Sequence, residues 1–176
     1  MLREELQKLA ECETIAQPAS LKQITRNFPN SIRIIESRYL QLREQYTCLE
    51  HVLDFVEKNK YLDVLDRTPQ EVFAGTNFVH WMIESGHLTE ITEAEAQEDD
   101  LIFYFLERKF RHAGLWCLNG RVCSKWGTKQ LFNHEILQIP LFYGTEFRFF
   151  RQLTYEIALK LFEQFAFKNE LPFEHK

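Results

Sequence analysis

The chain has 176 residues, of which 45% are apolar, 27% charged and 14% aromatic, with only 6 glycines and 5 prolines; this supports one well-packed core and excludes disordered, collagen-like and low-complexity chains. Its 21 basic and 26 acidic side chains leave a net charge of -5, so neither nucleic acid nor an anionic membrane surface is an expected partner. No run of 18 uncharged apolar residues occurs, which argues against a membrane-spanning helix. The opening MLREELQKLA is charged and amphipathic and reads as no secretory signal, so a cytoplasmic location is expected. Cys12, Cys48, Cys117 and Cys123 are then expected to be reduced thiols. Their spacing has no C-x-x-C pair, so no metal is expected, and with no Gly-x-Gly-x-x-Gly, P-loop or Gly-x-Ser-x-Gly motif no cofactor is expected.

Leu2 to Cys12 and Ser31 to Tyr46 carry helical patterning, broken around Pro18 and at Asn27-Phe28-Pro29-Asn30; residues 1–45 read as an N-terminal helical addition. Thr47-Cys48-Leu49-Glu50 has the form of a capping box, and apolar Leu49, Val52, Leu53 and Val56 follow with helical spacing, predicting a helix from Cys48 to about Lys58. A second box at Thr68-Pro69-Gln70-Glu71 predicts a helix over Val72 to Glu84, with Gly75 as a candidate break, that stops at Ser85-Gly86. The acidic run Glu93 to Asp100 reads as a solvated loop or helix end.

Beyond it the period changes. Leu101 to Leu106 has strand length and composition, and His112 to Leu118 is joined to Arg121 to Trp126 through Asn119-Gly120, a strong hairpin signal. Glu146 to Arg151 alternates as a strand, and Leu153 to Phe167 closes the chain with a helical stripe of Leu153, Ile157, Leu161, Phe162 and Phe165. The expected class is α+β: one domain, with helices, then three or four consecutive antiparallel strands, then a helix at 152–176.

Cys48 as the first residue of a helix would have its thiolate favoured by free N–H groups. With His112 opening a strand 64 residues later, the pair suits nucleophilic thiol chemistry, and Cys48 is expected to be the most reactive of the four thiols. A residue at a strand opening beside a cleft adds little packing, so His112→Ala is expected to leave the fold intact. His51, three residues after Cys48, reads as a solvated or half-buried side chain, and His80 with His87 as a pair separated by the helix stop at Gly86 rather than a metal site.

Asp100-Leu101-Ile102-Phe103-Tyr104-Phe105, His112-Ala113-Gly114-Leu115-Trp116 and Asn119-Gly120-Arg121-Val122 together resemble the second half of the NlpC/P60 superfamily of cysteine peptidases, with Tyr46-Thr47-Cys48 similar to its nucleophile segment. The elements Ser124-Lys125-Trp126-Gly127, His134, Pro140, Tyr143-Gly144 and Phe149-Phe150-Arg151 are similar to a bacterial branch of that type. The resemblance covers about 46–151. It implies a papain-like core, a helix starting at the cysteine packed on a small antiparallel sheet, with Cys48 attacking a carbonyl, His112 moving the proton and the Cys48 backbone N–H helping to hold the oxyanion. By the family's spacing the residue that orients the histidine is Ser124, with His134 as the alternative. A three-residue hairpin loop puts Ser124 beside Gly114 on the face of His112, whereas a two-residue loop puts Lys125 there instead. Because Leu49-Glu50-His51 replaces the family's usual Ser-Gly after the cysteine, the substrate implied is an amide, isopeptide or acyl compound rather than peptidoglycan. The rival readings are a non-catalytic module on the same fold, binding a protein through the N-terminal helices, and an unrelated interaction protein.

Overall fold

Among the described residues, seven antiparallel strands form one sheet in the order β1-β6-β5-β4-β3-β7-β2. The computed structural model describes residues 1–36, 45–56, 59–68, 72–117 and 119–168. The strands are β1 (Ile32–Ile35), β2 (Glu90–Ile91), β3 (Leu101–Leu106), β4 (Lys109–Cys117), β5 (Arg121–Lys125), β6 (Leu131–His134) and β7 (Glu146–Phe150). The helices are α1 (Leu2–Glu11), α2 (Gln17–Asn27), α3 (Cys48–Val52), α4 (Asn59–Leu65), α5 (Thr76–Glu84) and α6 (Tyr155–Lys168).

The LIFYFL run forms a central strand because both of its faces are covered. Leu101, Phe103 and Phe105 enter a core with Phe55, Tyr61, Phe78 and Phe162 under α3, α4, α5 and α6, while Ile102 and Tyr104 enter a second core with Leu6, Leu9, Leu21 and Ile24 of α1 and α2. Period-two alternation thus divides one strand between two apolar layers. Phe162 is fully buried, with ring centroids 5.3 Å from Phe78 and 5.0 Å from Tyr61; burying such a side chain contributes roughly 1.5–3 kcal/mol. Ile157, expected on the same stripe, is instead half exposed.

The Asn-Gly hairpin forms as the sequence predicts. Cys117 pairs with Arg121 and Leu115 with Cys123, which is the three-residue register. Asn119 and Gly120 have φ of 73° and 71°, the left-handed backbone these residues tolerate. That register sets Ser124 beside Gly114, where a Cβ would stand 2.5 Å from Val122 Cγ1 and 3.1 Å from Ser124 Cβ. It also corrects the expectation of four free thiols. Cys117 and Cys123 lie two residues out of step on one face of adjacent strands, with Cα atoms 6.5 Å apart, and form a disulfide. Cys12 and Cys48 are free.

Several expected boundaries differ. The helix predicted from Ser31 is replaced at Ile32–Ile35 by edge strand β1, and 37–44 lie outside the described residues. Residues 1–35 are therefore built into the sheet and its second core rather than added beside it. Pro18 opens α2 instead of breaking a helix, and the Lys129 ammonium donates to the Ala10 and Cys12 carbonyls at 2.6 Å each, closing the end of α1. The helix at Cys48 stops after five residues. Asp54 takes φ 59°, and the N–H groups of Asp54 and Phe55 return to the His51 and Glu50 carbonyls, a Schellman stop made without glycine. The box expected at Thr68 falls at 69–71 outside the described residues, and α5 begins at Thr76. Asp100, expected in a solvated run, is buried at 4% exposure; its carboxylate accepts from Arg151 Nη1 at 2.8 Å and from the N–H groups of Gln97 and Gln152.

Candidate active site

Thr47 caps α3, its N–H donating to Glu50 Oε2 at 2.7 Å, so Cys48 does open a helix as the capping box predicts. The side chain packs against the α3/α5/α6 core. Although part of the residue reaches solvent, the sulfur is closely surrounded. Burial pushes the thiol up to about 11, against backbone N–H donors from Ala113, Leu49 and Cys48 itself, and the Glu50 charge adds to the rise. The expectation of a helix-stabilised thiolate is corrected accordingly. A five-residue helix supplies little macrodipole, and desolvation of the anion outweighs three N–H contacts.

A β-bulge positions His112. Tyr104 pairs with His112 and Phe105 with Phe110, so Arg111 is the extra residue on β4. The shift sends Phe110 to the Phe103 side, with rings 5.3 Å apart, and leaves His112 on the Tyr104 side, with rings 5.7 Å apart. His112 therefore lies inside the strand, which begins at Lys109, and is 0% exposed. Tyr143 stacks on the imidazole at 4.0 Å and 10°. The tyrosine is held there by the 3-10 turn Leu141–Tyr143 and by Gly144, where φ is 136° and a Cβ would lie 2.6 Å from the Phe105 carbonyl oxygen. Neither ring nitrogen of His112 has a hydrogen-bond partner among the described residues, and burial, followed by the nearby His134, holds it well below the ordinary imidazole range. The N–H beside the Cys48 sulfur belongs to Ala113, which follows His112 along β4 and faces the Phe103 core, whereas the His112 ring lies on the Tyr104 face of the sheet, so the structure brings the thiol to the neighbouring backbone and not to the imidazole.

Ser124 lies on the His112 face, as the three-residue register requires, yet its hydroxyl pairs with His134 Nε2 at 2.7 Å rather than with His112. The donors can be assigned. The Glu135 carbonyl can only accept, so His134 carries its proton on Nδ1, 2.7 Å away; Nε2 then accepts from the Ser124 hydroxyl, and Ser124 Oγ accepts from Trp126 Nε1–H at 3.1 Å. The chain Trp126 to Ser124 to His134 to Glu135 is fully buried at its two central members. Burial lowers His134 to about 4, partly opposed by the Glu135 carbonyl and reinforced by Arg121. Lys125 points to the other face, its ammonium donating to the Lys129 carbonyl and lying 4.5 Å from the Tyr46 ring centroid. His80 Nε2 accepts from the Phe110 N–H at 3.3 Å, and His87 packs on Trp81 at 4.7 Å.

Tyr143 and Trp126 are the members the sequence reading did not single out as site residues. The signal for the first was Tyr143-Gly144, where the glycine allows the backbone to run against β3.

The chain matches no protein-family model, no curated protein and no solved structure. Among the described residues no helix is long and apolar enough to cross a membrane.

Proposed function

We propose that the chain is a papain-like α+β protein of NlpC/P60 type and a thiol hydrolase or acyltransferase acting on an amide, isopeptide or acyl substrate. Cys48 is the nucleophile and His112 its base. The observation that carries this reading is a fully buried imidazole with two unpartnered nitrogens, one residue from the N–H that contacts a helix-opening thiol. An unpartnered buried polar group costs about 1–3 kcal/mol, and such groups are few in folded proteins.

In the reaction Cys48 Sγ attacks the carbonyl carbon while His112 takes the thiol proton and returns it to the leaving group. Water or a second acceptor then attacks the thioester, and the thiol is restored. Backbone N–H groups at the start of α3 favour the oxyanion. Ser124 Oγ, with its proton on His134 and one lone pair on Trp126, keeps a second lone pair for a His112 N–H, which suits it to orient the imidazole. Tyr143 covers His112, and both thiol and imidazole are neutral, so the tyrosine ring has to move before chemistry.

The same neutrality and cover favour the second reading, a non-catalytic module. Incubation with p-nitrophenyl acetate, followed by intact-mass and peptide mapping, separates the two. The hydrolase reading predicts an acetyl group on Cys48 that is absent in Cys48→Ala and forms at least about tenfold more slowly in His112→Ala. Acetylation absent from Cys48, or unchanged in His112→Ala, favours the module.

A further inference from the structure

At the far end of β5 from His112, a groove of about 490 Å³ is lined by Thr25, Pro29, Asn30, Ile32, Arg33 and Arg121. Pairing of Arg33 with Asn133, and of Asn133 with Cys123, brings the two arginines to one face of β1, β6 and β5. Both Nε–H groups donate to the same oxygen, Asn133 Oδ1, from Arg121 at 2.6 Å and from Arg33 at 3.2 Å. Their shared acceptor is a neutral carboxamide, and among the described residues neither guanidinium forms an ion pair with a carboxylate. Glu135 attracts Arg121 from nearby without forming such a pair.

We propose that Arg33 and Arg121 bind a phosphate-type dianion, the phosphate group of a monoester whose organic part lies along the groove. The two arginines are not equivalent. Arg121 is anchored, with Nη2 donating to the Ser31 and Asn133 carbonyls at 3.1 Å each and Nη1 to the Asn30 carbonyl at 3.4 Å. Arg33 makes only its bond to Asn133 among the described residues, so both of its Nη groups remain available. A fixed guanidinium beside a free one provides a planar fork that two oxygens of a tetrahedral anion can satisfy. Charge arithmetic selects the dianion. Two adjacent positive charges destabilise one another, and Arg121 is lowered first by burial and then by Arg33. A phosphate monoester carries about -1.5 to -2 at neutral pH and offsets both charges. The groove is larger than one phosphate needs and has Pro29 in its lining, which accounts for an organic portion. An extended polyanion is disfavoured by the net charge of -5.

The test is isothermal titration of the full chain with phenyl phosphate and with inorganic phosphate, at fixed ionic strength in chloride buffer. Arg33→Gln and Arg121→Lys are compared with the parent chain, and melting curves confirm folding. Arg33 is exposed and makes a single side-chain bond, so Arg33→Gln should remain folded. Saturable phenyl phosphate binding, tighter than inorganic phosphate and weakened about tenfold or more in Arg33→Gln, is the expected result. In Arg121→Lys the charge is kept but the bonds that fix the guanidinium to the Asn30, Ser31 and Asn133 carbonyls beside Arg33 are lost, and binding should weaken likewise. An unsaturable response, or affinities within about twofold across parent and variants, overturns the site; equal affinity for the two phosphates overturns its organic portion.

Discussion

Lowering the pH from 7 to 5 should strip stability from this fold before its carboxylates titrate. His134 titrates near 4 when folded and near 6.5 as an unperturbed side chain. Its folded value is depressed, so the unfolded state takes up protons first; the stabilisation is complete above about pH 6.5 and is lost progressively as pH falls toward 4. The full gap of about 2.5 units corresponds to roughly 3 kcal/mol at 1.36 kcal/mol per unit, of which about 2 kcal/mol is gone by pH 5. The structural cause is specific. A proton on Nε2 removes the acceptor of the Ser124 hydroxyl and places a charge at 0% exposure. His112, also depressed by burial, acts in the same direction. Urea unfolding at pH 7, 6 and 5 measures the effect, which for a chain of this length also appears as a fall of about 4–8 °C in melting temperature by pH 5. His134→Gln should be less stable at pH 7 but have a flatter profile. Stability that is constant between pH 7 and 5, or an unchanged slope in His134→Gln, would refute the assignment of a buried neutral imidazole.

Other outcomes follow from single contacts. Asp100→Ala leaves the Arg151 guanidinium and the Gln97 and Gln152 N–H groups without their acceptor and should cost about 2–4 kcal/mol in chemical denaturation, with earlier proteolysis in the 93–100 turn. Gly114→Ala drives a methyl into Val122 and should destabilise by about 1–3 kcal/mol by the same measurement. Reduction with dithiothreitol opens the Cys117–Cys123 bond, which closes a loop of sequence separation 6, and should lower stability by about 2 kcal/mol without unfolding the chain at 25 °C.

Local signals carried the parts of the fold in which one residue type has one structural meaning. The LIFYFL run, Asn119-Gly120, the Thr47/Glu50 cap and the stop at Gly86 all formed as expected. Features built from tolerated rather than preferred residues were not legible. Glu107 and Arg108 make the β3–β4 turn with φ of 52° and 63° where Asn-Gly would be the usual choice, and Asp54 ends α3 where glycine would. Strands β1 and β6, four residues each, are too short for periodicity to separate them from helix or loop, and tertiary pairing decided them. At the site, the cysteine at the helix start and the face shared by Ser124 and His112 could be read from spacing. The depth of His112 could not, because it depends on a bulge at Arg111 and on a stack with Tyr143 contributed by a distant turn. His112→Ala therefore removes a fully buried ring, and the expectation of a nearly neutral substitution is replaced by a cost of about 2 kcal/mol. The thiolate expectation failed for a similar reason, since a helix start predicts N–H donors but not how closely the sulfur is enclosed.

The claim that Cys48 and His112 act together is tested most directly by the rate at which iodoacetamide alkylates Cys48 at pH 7.5, measured by peptide mass mapping in four chains: the parent, Tyr143→Ala, His112→Ala and the double variant. A thiol pushed up to about 11, with the Tyr143 ring stacked on His112, should react slowly in the parent. Removing the Tyr143 ring frees the imidazole and should accelerate Cys48 by about tenfold or more, and the acceleration should vanish when His112 is also removed. Equal acceleration with and without His112 would mean that the tyrosine only shields the sulfur, and would contradict a Cys48–His112 pair.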